Sequence, residues 1–272
     1  MKNATPRTRD LEGRQGPSGV VARDRVAHGG KTIYGARVGI LMLDTRFPRI
    51  PGDMCNALTW PFPVLFKVVR GATAAGVAER SRGMREDFMA AGQELVAEGA
   101  DGITTNVGYL SLFQDELAER CGVPVAASSL MQIPFVERLL PPGRRAGVVT
   151  VSTVTLDADH LEAAGARPDT PVAGTENGRE FHRFIRENDT EMNVAAAEQD
   201  LLDAGRDLVG RHPEVGAVVL ECTNMVPYAR ALSEDLRLPV YSIYSFICWF
   251  HAGLAPRDFG HPGSAPRDFR ER

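Results

Sequence analysis

A pattern in the first half of the chain returns 115 residues later, and that return limits the fold more than any other feature. Val107-Gly108-Tyr109-Leu110, running on through Leu117, Glu119, Pro124 and Val125, lies over Cys222 through Leu232, Glu234, Pro239 and Val240. Each copy reads as an apolar strand, a short polar turn, an amphipathic helix and a second strand opening on Val-Pro-Val or Leu-Pro-Val. Upstream, Val38-Gly39-Ile40-Leu41 lies over Ala146-Gly147-Val148-Val149, which sets Thr45 over Thr153. Strands that alternate with helices pair in parallel, because each return to the sheet needs a crossover. The pattern predicts an α/β fold of two pseudo-symmetric halves, each a short parallel sheet flanked by helices, with the site in the cleft between them. The halves are expected at 32–142 and 143–254, with Pro141-Pro142-Gly143 as the hinge. Residues 1–31, rich in Arg, Gly, Pro and Asp without apolar periodicity, are expected to be a disordered leader, and 255–272 a flexible tail.

The second copy of the repeat carries the chemistry. Ala217 to Leu220 is a uniformly apolar run, too short for a helix, and reads as a buried strand. Val226, Ala229, Leu232 and Leu236 then recur at helical spacing. Cys222 is thereby placed at a strand-to-helix turn, where free N–H groups and the helix dipole favour an anion. A thiol in that position is expected to have a lowered pKa and to serve as base or nucleophile. The alternative is a buried, inert cysteine, since free Cys is among the most buried residue types. The equivalent position in the first half is Val107, which cannot ionise.

Composition removes several function classes. A formal charge of −4 over 272 residues gives no electrostatic reason to propose nucleic acid or an anionic membrane as partner. No apolar run approaches the roughly 20 residues that cross a bilayer. Cys55, Cys121, Cys222 and Cys248 are scattered, with neither a CxxC pair nor metal-ligand spacing, so no metal is expected and a reduced, cytoplasmic setting is the simplest account.

Other candidates follow from position. The loop from Asp44 to Trp60 is long for a strand-to-helix connection and follows the first strand, where ligand sites tend to border such loops. Arg46 within it is a candidate fork for a substrate carboxylate, or else a surface ion pair, and Cys55 in the same loop is a candidate displaced thiol. Ser128 is placed either as a helix cap or as a wall of the pocket. Thr150, Ser152 and Thr153, at the end of the strand opening the second half, offer hydroxyls and N–H groups suited to a carboxylate. Residues 176–191 are highly charged, which reads His182 as solvated; His251 reads as structural.

Three stretches carry a family resemblance. Gly102-Ile103-Thr104-Thr105-Asn106-Val107-Gly108, Glu221-Cys222-Thr223-Asn224 and the run from Gly39 to Pro48 resemble the aspartate/glutamate/hydantoin racemase superfamily, over roughly Thr32 to Leu254. The resemblance implies a cofactor-independent enzyme that uses two facing thiols to remove and return a proton beside a carboxylate. Its substrate would be a small carboxylic acid, and a homo-oligomer is left open. It places Asn106, Val107, Gly108, Thr223 and Asn224 at the substrate and makes Cys222 the acid/base. The first thiol is absent here, and the superfamily's acidic or histidine residue after Cys-Thr is replaced by Asn224, which argues against glutamate or aspartate as substrate. In lacking the first cysteine the chain resembles arylmalonate decarboxylase, where an apolar face opposite the thiol helps expel carbon dioxide. Three functions are consistent with these residues: racemase- or isomerase-like chemistry on an enolate with Cys222 as acid/base, a decarboxylase with Cys222 as proton donor, or a carboxylate-binding relative without catalysis.

Overall fold

The computed structural model describes residues 29–73, 82–257 and 259. Most of the expected leader and tail therefore lies outside the described residues. Lys31 lies inside, its ammonium donating to the Gly99 carbonyl at 3.1 Å and pairing with Asp101.

Among the described residues the strands form two parallel sheets with the same order. β1 (Val38–Leu43), β2 (Val64–Val69), β3 (Gly102–Thr105) and β4 (Val125–Ala126) run β2-β1-β3-β4. β5 (Arg145–Thr150), β6 (Val172–Gly174), β7 (Val215–Leu220) and β8 (Val240–Tyr241) run β6-β5-β7-β8. β3 and β7 are buried at every residue, which is why neither alternates polar with apolar side chains. The helices are α1 (Arg82–Glu98), α2 (Gln114–Cys121), α3 (Ile133–Leu139), α4 (Ala158–Ala163), α5 (Phe181–Glu187), α6 (Val194–Arg211), α7 (Ala229–Leu236) and α8 (Ile243–Leu254). None of the described helices is long and apolar enough to cross a membrane.

The sequence repeat reappears as repeated packing. α1 meets α2 at Gly92, where an added Cβ would lie 2.7 Å from the Cys121 sulfur. α6 meets α7 at Gly205, where it would lie 2.5 Å from the Leu232 side chain. A glycine inside a helix costs about 1 kcal/mol, and at both positions this close approach of a neighbouring helix offsets it. Cys121 is thus a packing residue.

The halves also exchange cover. Leu130, Ile133 and Val136, in and just before α3, pack on Ala146, Val148, Ala217 and Val219 of the second sheet. Ile243 and Ile247 of α8 pack on Val38, Ile40 and Ala126 of the first. Each half thereby covers one face of the other's sheet.

The structure departs from the sequence expectations in three places. The chain leaves β3 and β7 through 3₁₀ turns, Gly108–Phe113 and Thr223–Tyr228, before α2 and α7 begin. In the second turn Pro227 lacks the N–H that an α-helix interior needs. β4 and β8 are two residues each, shorter than expected, because Ser128 and Ser242 already serve the next element: Ser128 Oγ accepts from the Leu130 N–H at 3.2 Å, and Ser242 forms a capping box with Ser245. Finally, the charged stretch 176–191 contains α5, which buries Phe181, Phe184 and Ile185.

Because Ile247 is fully buried against the first sheet although it belongs to the second half, Ile247→Ala is expected to lower stability by about 2–5 kcal/mol. Calorimetry should still record one cooperative transition. Two separate transitions would mean that the halves are independent.

Candidate active site

Val107 and Cys222 occupy equivalent positions: each is the extended residue immediately before the 3₁₀ turn of its half. Both line one cavity of about 520 Å³ at the C-terminal ends of the sheets. Leu43, Phe47, Val107, Val151, Val154 and Ile185 give this cavity its apolar wall. Asn106, Ser152, Glu221, Cys222 and Asn224 supply polar groups, and Glu176, His182 and Arg186 complete it from the second half.

The thiol belongs to a buried network that reaches into the first half. Cys222 Sγ donates to Asn224 Oδ1 at 3.5 Å, and Asn224 Nδ2 donates to Asp53. Asp53 accepts from Arg49 at 3.0 Å and from the Cys55 N–H at 2.8 Å. Arg49 also donates to Thr45 Oγ1 at 2.7 Å and lies over the Phe47 ring. The long loop after β1 thus contributes Asp53 and Arg49 to the support of the thiol. Thr223 Oγ1 fixes the same turn by donating to the Asn106 carbonyl at 3.1 Å.

Glu221, next to the thiol, is buried at the cavity wall, and its Oε2 accepts from Thr150 Oγ1 at 2.9 Å. Its carboxylate lies against the backbone of the first half: a Cβ on Gly108 would fall 1.9 Å from Glu221 Oε1. Position 108 therefore has room only for glycine. Among the described residues no cation pairs with Glu221. Burial raises its pKa to about 7. Tyr109, whose hydroxyl lies by Thr150 and Thr155, is likewise raised by burial and by Glu221.

The expected lowering of the Cys222 pKa is reversed. Burial, and then the neighbouring Glu221 carboxylate, push the thiol well above its ordinary value, outweighing the Asn224 hydrogen bond and the Arg49 charge. The following element is a 3₁₀ turn of six residues, so the helix dipole invoked from sequence is weak there. Cys55 is also raised, to about 12, chiefly by burial, although Arg49 and Asn106 oppose the shift. The thiol of Cys222 is therefore neutral near neutral pH.

Other candidates divide. Asn106, Val107, Gly108, Ser152, Cys222 and Asn224 line the cavity. Arg46 does not: it is exposed, and its backbone N–H donates to Asn188 at 2.7 Å. Ser128 is committed to its cap, Thr150 to Glu221, and Thr153 to Glu176. His182, expected in solvent, is half-buried on the wall with Arg186 one helical turn on. Sequence reasoning passed over Glu221, Arg186 and Asp53. The signal for Glu221 was present, since a carboxylate directly after the apolar run 217–220 has little solvent to meet. Among the described residues no group of three or more His, Cys, Asp or Glu is gathered as for a metal ion.

No family model matches the chain. Among curated proteins, Dimethylsulfoniopropionate lyase 5 of Emiliania huxleyi is 27% identical over 229 residues, 79% of this chain and 45% of that one. The chain thus spans about half the length of this relative. Among solved structures, a mutant arylmalonate decarboxylase in its sulfate-associated form is similar with a TM-score of 0.55 at 16% identity, covering 85% of this chain and 96% of that one. Allantoin racemase from Pseudomonas fluorescens is similar with a TM-score of 0.53 at 15% identity, covering 80% and 90%. The chain shares its fold with these two structures.

The position of Glu221 makes stability depend on pH. Below its ordinary value of 4.5 the group is neutral folded or unfolded; above that the unfolded chain ionises first, and folded stability declines until about pH 7. Glu221→Gln abolishes this titration. The variant is expected to exceed the parent by about 3 kcal/mol above pH 7, at about 1.4 kcal/mol per tenfold change in proton affinity, and to match it at pH 4.5. Denaturant midpoints at the two pH values test this; equal gaps at both would rule out a buried titrating carboxylate.

Proposed function

We propose that this chain is a carbon-acid lyase, an enzyme that forms the enediolate of a small carboxylic acid without a cofactor and uses Cys222 as its proton-transfer thiol. The observation that carries this reading is the single thiol opening on a cavity that it shares with an apolar Val107 at the equivalent turn of the other half. Racemisation by two facing thiols needs an ionisable group at position 107, and valine has none. Elimination and decarboxylation tolerate its absence, because neither has to return a proton to a second face.

Similarity to a dimethylsulfoniopropionate lyase favours elimination. That substrate is a carboxylate with a sulfonium on its β-carbon. Loss of the α-proton to a base in the cavity gives the enediolate; its electrons form the Cα–Cβ double bond, and the C–S pair leaves with sulfur. The products are acrylate, dimethyl sulfide and a proton, so atoms and charge balance. The wall carries both Arg186 and Glu176, a pairing suited to a zwitterion of this kind. Arg186 would hold the carboxylate by charge, with Ser152 and Asn106 as hydrogen-bond partners.

A second reading, decarboxylation, is favoured by the apolar surface of Leu43, Val107 and Val151, on which a carboxylate is poorly solvated, and by a neutral thiol ready to protonate the product enediolate.

Three probes test the proposal: dimethyl sulfide release from dimethylsulfoniopropionate, carbon dioxide release from phenylmalonate, and α-deuterium uptake by 2-phenylpropionate in D₂O. Cys222→Ala should lower the observed activity by about 100-fold or more. A parent protein inert to all three would instead support a carboxylate-binding role. Val107→Cys, close in volume and expected to cost under about 1.5 kcal/mol, should add racemisation of (S)-2-phenylpropionate. Rapid racemisation by the parent would place another base on that face.

A further inference from the structure

Glu221 is a buried ionisable group on the cavity wall. A carboxylate at the end of a fully buried strand loses hydration, and among the described residues no cation compensates it. It could have been directed elsewhere only by filling space; instead the backbone at Gly108 is bare of a side chain where Glu221 Oε1 rests. Oε2 is held by Thr150 at 2.9 Å, which fixes the orientation of the carboxylate. The group thus starts from the second half but ends on the wall of the first, beside Val107. That is the face left without an ionisable residue by the loss of the first thiol.

We propose that Glu221 is the second acid/base of this site, taking the substrate's α-proton from the Val107–Gly108 side of the cavity while Cys222 donates from the other. The inference rests on the carbon-acid reading above. In elimination the α-carbon's proton passes to a Glu221 oxygen, the Cα–H pair becomes the new π bond, and the leaving group departs with its own pair. The Cys222 thiol stays protonated and donates a hydrogen bond to the enediolate. Glu221 then releases its proton to water. When nothing leaves, Glu221 exchanges the proton it took with solvent and returns one to the same face, while the Cys222 thiol keeps its own.

Protonation states are compatible with this division. Glu221 titrates near neutrality, so its ionised form is populated where the Cys222 thiol remains neutral. The groups that face it are Thr150 on β5, Tyr109 on the turn after β3, and Cys222 on its own turn; Tyr109 stacks edge-on against His160 of α4. Of these, Tyr109 and Cys222 are both raised, which leaves Glu221 as the group among them able to act as base at neutral pH.

The test exploits a difference between reactions. Elimination and α-deuterium uptake begin with proton removal, whereas decarboxylation of phenylmalonate needs only a proton donor for the enediolate. Glu221→Gln keeps the shape of the side chain and should lower dimethyl sulfide release and deuterium uptake at least about 100-fold, a loss larger by a factor of ten or more than any change in carbon dioxide release. Glu221→Asp should recover part of the lost activity. In the parent, kcat for elimination should rise with pH through a midpoint near neutrality, and that limb should be missing in the Gln variant. A Gln variant that loses all three activities together would assign Glu221 a structural role and overturn the proposal, as would one that eliminates at the parental rate. A parent inert to every probe would overturn the carbon-acid reading itself, an outcome separate from either.

Discussion

Each sheet in this protein needs the other half to stay dry. A parallel sheet buries both faces, and here the last helix of each half supplies cover to its neighbour: α3 to the second sheet, α8 to the first. The same exchange closes the strand ends. Ser129, just before α3, donates to the carbonyls of Leu220 and Glu221 at 2.7 and 3.1 Å, and Thr223 donates to that of Asn106. Carbonyls that a strand terminus would leave unpaired are satisfied across the pseudo-dyad, and the two turns that line the cavity are held in fixed relation by those bonds. The site is therefore a consequence of how the halves cover one another.

Much of this was readable before the structure. A repeat that sets Val107 over Cys222 required two like sheets and one shared cavity, and both residues do line it. What escaped was anything decided by solvent access. Arg46 and Arg49 lie three residues apart in the same loop, and nothing in their spacing says which will turn inward; Arg49 does, against Asp53. The wall helix α5 was concealed because its apolar residues Phe181, Phe184 and Ile185 alternate with charged ones that dominate composition. The thiol's proton affinity was misjudged for the same reason: turn geometry argued for an anion, but desolvation and a neighbouring carboxylate argued more strongly the other way. Sequence displays the dipole and conceals the dielectric.

Placing two acids side by side out of water opposes folding. The chain offsets this with a strand, β7, in which all six residues are buried, and with a network that binds the thiol turn to the first half through Asn224, Asp53 and Arg49.

The missing side chain at Gly108 has a consequence for anyone altering this protein. Because the Glu221 carboxylate fills the space a Cβ would occupy, positions 108 and 221 behave as a single variable. A library that scans 108 alone will register every change there as damage. Only paired changes, a larger residue at one with a shorter one at the other, sample the shapes that this wall can take.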